Sequence, residues 1–145
     1  MISYLEKFEK MRVAGKLAAE TLDMLTDNIK PGITTEFIDK LGYEFIRDNG
    51  AYSAPLFYRG FKKSLCTSLN HVVCHGIPSD RILNEGDALN VDVTAIVDGH
   101  YGDTSRMFCI GKTPIKVNNL IDATYESMMK AINLLKPGIK LGDIG

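Results

Sequence analysis

No stretch of this chain approaches the roughly 20 consecutive apolar residues that a membrane-spanning helix requires, so no transmembrane segment is expected. The opening run Met1-Ile2-Ser3-Tyr4-Leu5-Glu6-Lys7 mixes charged with apolar residues and lacks the apolar centre of an export signal. Cysteine is scarce: Cys66, Cys74 and Cys109 are an odd number with no C-x-x-C spacing. That argues against a disulfide framework and for free thiols in a reducing cytoplasm. An excess of one charge is lacking as well. A formal net charge of -1 gives no electrostatic case for nucleic acid or an anionic membrane surface.

What is present is ordinary for a soluble globular domain: 145 residues, 45% hydrophobic and 24% charged, enough for one real core. Ser3-x-x-Glu6 fits a capping box at a helix start. Phe8, Met11, Ala14 or Gly15, Ala18, Leu22 and Leu25 then recur at helical spacing and predict one buried stripe. Lys30-Pro31-Gly32 stops this helix, because proline cannot donate within it and disfavours a helical residue before it. Thr34 or Thr35 caps a second helix, with Phe37, Ile38, Leu41, Phe45 and Ile46 directed inward and Asn49-Gly50 at its end. The period then changes, and residues 51–58, 65–74, 88–97 and 101–110 read as strands. A last helix carries Leu120, Ile121, Met128, Ile132 and Leu135 and closes on Lys136-Pro137-Gly138.

Ile29-Lys30-Pro31-Gly32-Ile33 recurs as Leu135-Lys136-Pro137-Gly138-Ile139, each copy following an amphipathic helix, and Ile38 has its counterpart at Ile144. The interval is too long for a solenoid repeat. It suits a duplicated α/β unit; a chance recurrence of a Pro-Gly helix stop is the alternative.

The chemistry concentrates in residues 89–108. Leu89, Val91, Val93, Ala95 and Val97 alternate with Asn90, Asp92 and Thr94, as in a strand with one face in a core. Asp98-Gly99 is a hairpin turn signal. A two-residue turn pairs Asp92 with Ser105 and Thr94 with Asp103, which makes Asp92 and Asp103 diagonal neighbours on one face. Such neighbours have Cα atoms roughly 7–8 Å apart. Two carboxylates so placed repel unless compensated. A divalent cation with a preference for oxygen compensates them if they are buried, and a solvated polar face is the alternative.

Other clusters carry less. Cys74-His75 as a nucleophile pair is opposed by strand geometry, which would send neighbours to opposite faces; a buried structural Cys74 is expected. Cys66, Cys74 and His75 lack a fourth zinc ligand. His71 reads as a loop residue and His100 as an exposed turn residue. Arg59, Lys62 and Lys63 with Tyr58 and Phe61 form a basic, aromatic segment that reads as a solvated loop before it reads as a nucleic-acid contact.

Four segments in order then carry a resemblance. They are Glu9-Lys10-Met11-Arg12-Val13-Ala14-Gly15, Ser68 through Pro78 with its Val72-Val73-Cys74-His75-Gly76-Ile77-Pro78 core, Asn90-Val91-Asp92-Val93-Thr94, and Gly102-Asp103-Thr104-Ser105-Arg106-Met107-Phe108. Together they resemble the bacterial-type methionine aminopeptidases over the whole chain. The resemblance implies an α+β class: the N-terminal half of the pita-bread fold, an antiparallel sheet with helices on one face. Residues 1–145 would be a partial catalytic domain, the first αβ half plus the start of the second, without the C-terminal half.

The implied activity is removal of the initiator methionine from nascent proteins by two divalent metal ions (Co, Mn, Fe, Zn or Ni). Asp92 would chelate one metal and Asp103 bridge both, while His75 would be catalytic and hold the scissile peptide. Tyr58, Phe61 and Cys66 would line the methionine pocket, and Asn70 and Val72 would hold a monovalent cation through backbone oxygens. Partners would be nascent chains beginning with methionine and the ribosome, with no nucleic-acid specificity and no membrane. Phe61, Pro55, Arg59 and His71 depart from the residues common in the family and bear on fine specificity. The family's remaining metal ligands, a histidine and two glutamates, would lie past Gly145, so the chain alone is expected to be inactive. The alternative is a non-catalytic pita-bread interaction module or a catalytically dead fragment.

Overall fold

The computed structural model describes residues 3–145, which fall into two compact units, one ending at Lys112 and one running from Thr113 to Gly145. In the first, helix α1 (Tyr4–Thr26) starts at the expected capping box. The Ser3 side chain accepts from the Glu6 N–H, and the Glu6 carboxylate accepts from the Ser3 N–H. Helix α2 (Thr35–Asp48) is capped by Thr34, whose hydroxyl accepts from the Phe37 N–H at 3.1 Å. Four strands follow: β1 (Tyr52–Ser53), β2 (Cys66–Leu69), β3 (Ala88–Val97) and β4 (His100–Cys109).

β3 organises the sheet. β4 pairs with it along its whole length, from Ala88 opposite Cys109 to Val97 opposite His100. β2 and β1 share its other edge, β2 beside residues 89–92 and β1 beside Ala95 and Ile96. All pairings are antiparallel. The apolar alternation of β3 places Leu89, Val91, Val93 and Ala95 under α1, against Leu17, Ala18, Leu22 and Leu25, with Ile38 and Ile46 of α2 completing the core. Burying each such side chain contributes about 1.5–3 kcal/mol. The antiparallel sheet with helices on its apolar face is the expected one.

The contact between α1 and β4 is unusually close at Gly102. A Cβ there would occupy the backbone of Ala14 and Gly15. Arg106 fixes the same approach further along, with its guanidinium 2.8 Å from an Asp23 carboxylate oxygen and donating to the Thr26 hydroxyl at 3.1 Å.

Four expectations need correction. Phe8 and Met11 are exposed, because α1 meets the core only from Ala14 onward; Phe37 of α2 is exposed as well. The strand expected over 51–58 is only Tyr52–Ser53, since residues 54–57 form a turn in which Phe57 takes a left-handed φ of 68° that no strand accommodates. The strand expected over 65–74 stops at Leu69, where Asn70 turns left-handed at φ 54°.

The second unit holds helix α3 (Ile115–Leu134), none of whose residues is buried. Of the apolar set expected of it, Leu120, Met128 and Ile132 stand exposed, as does Leu135 just past its end, and Ile121 is half-buried. Among the described residues no helix is long and apolar enough to cross a membrane.

Candidate functional site

The Asp98-Gly99 turn has positive φ at both residues, 47° and 74°. This is the conformation that joins two strands through a tight two-residue loop. It sets the parity of everything that follows. Asp92 stands opposite Ser105 and Thr94 opposite Asp103, so both aspartates leave the sheet on the face away from α1. Cys66 of β2 pairs with Asp92 from the other side.

An open cavity of about 700 Å³ lies over this face. It brings together all six residues expected at the centre of the site: Asp92, Asp103, His75, Tyr58, Phe61 and Cys66. Sequence reasoning did not assign Thr94, Tyr101, Ile77 and Ala54 to this wall. Strand parity could have found Thr94 and Tyr101, which share the face of Asp92 and Asp103.

The carboxyl pair is electrostatically loaded. Burial pushes Asp92 above the ordinary carboxylate value, the charge of Asp103 pushes it further, and so does a hydrogen bond between the two carboxyl groups. The Val93 N–H and the charge of His75 act the other way and do not cancel the rise. Cys66 rises to about 11, chiefly from burial and then from the neighbouring Asp92 charge; its thiol is therefore protonated wall and no nucleophile at neutral pH.

A carboxyl whose folded pKa lies above its unfolded value stabilises the fold while protonated, and that contribution is lost as pH rises through the raised value. Without metal, the chain is expected to lose part of its thermal stability as pH climbs above 3.8, the ordinary aspartate value. Millimolar Mn(II), standing in for the shared proton, is expected to restore it. Melting curves against pH, with chelator and with Mn(II), check this; a stability that rises through the window and ignores Mn(II) would contradict it.

Two oxygen-donor side chains on one face, both lining one cavity, suit a hard divalent cation. Among the described residues no third histidine, cysteine, aspartate or glutamate joins them in a ligand cluster. The zinc arrangement of Cys66, Cys74 and His75 is likewise not formed.

His75 reaches the cavity from an irregular segment, at φ 55°. Neither it nor Cys74 lies in a strand, so opposite strand faces do not separate them. Cys74 is exposed, against the expectation of a buried structural thiol, because the chain between Asn70 and Gly76 loops out and leaves Val73 at 94% exposure. Asn70 anchors the start of that loop. Its amide donates to Asp87 at 2.8 Å and its carbonyl oxygen accepts from the Ala88 N–H at 3.0 Å. Val72 continues the turn through its N–H to the Leu69 carbonyl at 3.1 Å. His100 is half-buried, with a ring nitrogen 2.9 Å from the Asp98 carbonyl oxygen. In the basic segment Lys63 pairs with Glu36, and Arg59 lies 5.4 Å from the centre of the Tyr58 ring, on the cavity wall.

The profile of metallopeptidase family M24 matches residues 9–145. The methionine aminopeptidase of Rickettsia prowazekii is 59% identical over 138 residues, covering 95% of this chain and 53% of that protein. The methionine aminopeptidase of Escherichia coli K12 is 49% identical over 142 residues, covering 97% and 54%. The crystal structure of the Rickettsia prowazekii enzyme superposes with a TM-score of 0.95 at 56% identity, over 99% of this chain and 58% of that one. This chain therefore spans about half the length of the curated relatives it matches.

Proposed function

Because the chain belongs to metallopeptidase family M24, we propose that it carries the two-carboxylate portion of a methionine aminopeptidase site, acting on the N-termini of nascent proteins that begin with methionine. The observation that carries this reading is the convergence of Asp92, Asp103, His75, Tyr58, Phe61 and Cys66 on one cavity. In this reading residues 1–145 form the first αβ half of a pita-bread domain and the start of the second.

Family membership implies divalent metal. Asp92 and Asp103 would be the residues of this chain that hold it, and a bound metal would supply an activated water and charge for the developing oxyanion. The chain's own residues do the rest. The acidic face attracts the substrate's α-ammonium group, which carries the complementary charge. Tyr58, Phe61 and Cys66 offer an apolar wall to the first side chain. His75 donates a hydrogen bond to the scissile peptide and holds it against the carboxylates. Backbone oxygens of Asn70 and Val72 would be the ones to hold a monovalent cation. A cytoplasmic site of action beside the ribosome fits this substrate. A non-catalytic interaction module is the other reading; retention of both carboxylates on one face speaks for the enzyme.

With two carboxylates and no third ligand among the described residues, this chain by itself is expected to bind Mn(II) or Co(II) weakly and to turn over a Met-Ala-Ser tripeptide negligibly. Calorimetric titration with Mn(II) and a methionine-release assay test both statements. Cation binding that survives replacement of both Asp92 and Asp103 would remove the ground for the proposed centre. Turnover within the ordinary enzymatic range of about 1–10³ s⁻¹ would refute the expected inactivity.

A further inference from the structure

The loop that carries His75 has no regular structure between Asn70 and Ser79, yet it is tied to the body at three places. At its start the Asn70 side chain is bound to Asp87 and Ala88. At its end Ser79 and Thr35 exchange bonds: the Ser79 N–H donates to the Thr35 hydroxyl at 2.9 Å, and that hydroxyl donates to the Ser79 carbonyl at 3.1 Å. Both ties are four or more residues from His75 and would leave it free to swing. The third tie is adjacent to it. The Gly76 N–H donates to the Ser68 hydroxyl at 3.1 Å, and the Gly76 carbonyl accepts from the Thr67 N–H at 2.8 Å.

This third tie is geometrically demanding. A Cβ on Gly76 would enter the Thr67 carbonyl and come within 2.9 Å of the Ser68 Cα, so only glycine lets the loop lie this close to β2. His75 takes a left-handed φ of 55°, a conformation a histidine adopts at a cost and keeps only where its surroundings enforce it. Ser68 is 4% exposed and pairs with Asn90 in the ladder that holds Asp92 two residues on. The hydroxyl that receives the loop therefore stands on the strand that is registered directly against the carboxylate strand.

We infer that Ser68 is a positioning residue: its hydroxyl, through the Gly76 N–H, holds the His75 imidazole at the cavity wall in fixed relation to the sheet bearing Asp92 and Asp103. This rests on the reading of His75 given above and deepens it. The Gly76 carbonyl bond to Thr67 is backbone to backbone and survives any side-chain change; the Ser68 hydroxyl is the one contribution to this tie that a substitution can remove.

The test uses the isotope-labelled chain and NMR. In Ser68→Ala the Gly76 amide is expected to exchange with solvent at least about tenfold faster, the loss of one net hydrogen bond. The His75 ring signals are expected to shift and broaden, while the Leu89 and Val91 amides keep their protection. Should alanine loosen those β3 amides too, Ser68→Cys fills the same space with a poorer acceptor and is read the same way. His75 ring signals unchanged in a folded Ser68 variant would overturn the inference. Failure of the His75 reading itself looks different: Met-Ala-Ser at millimolar concentration would leave the wild-type ring signals unmoved, while Ser68→Ala still displaced them.

Discussion

Asp92→Asn makes the metal-free chain more stable and its affinity for Mn(II) lower by more than about 100-fold, a larger loss than removal of an outer-shell partner causes. The two effects have one cause. In the folded chain Asp92 is half-buried beside Asp103, and both burial and that neighbour oppose its ionisation. An asparagine amide is neutral at every pH and donates to the Asp103 carboxylate as the shared proton does. Because Asp92 retains solvent contact, the gain is less than about 1 kcal/mol, read as a small rise in melting temperature at pH 7.5 in chelator. Adding Mn(II) then raises the melting temperature of the unaltered chain and leaves the variant unmoved. Asp98→Asn is the control, since Asp98 sits in the exposed turn at φ 47°, which asparagine tolerates. A variant that melted lower than the parent in chelator, or still responded to Mn(II), would show that the carboxylates do not oppose one another and do not share a cation.

Gly102→Ala should be the most damaging single-carbon addition in the first unit. The new Cβ meets the backbone of Ala14 and Gly15, and no side-chain rotation relieves a collision with main chain. Overpacking of this kind costs typically 1–3 kcal/mol, and a cost of about 3 kcal/mol is expected here because helix α1 itself must move. Urea denaturation measures it. Gly15→Ala is the matched contrast: its Cβ meets nothing within 4 Å, and it lies within helix α1. There the exchange should stabilise by about 0.5–1 kcal/mol. A Gly102→Ala chain with an unaltered urea midpoint would mean that α1 does not bear on β4 as described. Because Asp103 follows Gly102 directly, the displaced strand should also weaken Mn(II) binding.

The parts of the fold that were legible before any coordinates are those where a local pattern has one physical solution. Alternation from Leu89 to Val97 with a following two-residue Asp98-Gly99 turn sets a register, and that register placed Asp92 against Ser105 and Thr94 against Asp103. The caps were also readable, Ser3 outright and the second down to Thr34 or Thr35, because an unsatisfied N–H seeks a nearby oxygen. The cavity walls were not readable from pattern. Phe57, Arg59 and His75 take left-handed backbones that these residue types do not advertise, and of the three only Phe57 falls within an expected strand. Helical spacing likewise said that Phe8 and Met11 share a stripe with Leu22, but not where along α1 the sheet begins. The grouping of Tyr58, Phe61 and Cys66 with the aspartates came from resemblance; spacing alone carried only the acidic pair.

The seat of α1 on β4 also bears on how this sequence is free to drift. A glycine codon is one base change away from alanine, valine, serine, arginine, cysteine, aspartate, glutamate or tryptophan, depending on its third base, and every one of these brings a carbon to the place where the Ala14 and Gly15 main chain already lies. Every amino-acid replacement one base away at position 102 is thus expected to cost at least as much stability as alanine does. A lineage could leave glycine there only after the helix had first been lifted from the sheet, and the acid one residue along would go with it.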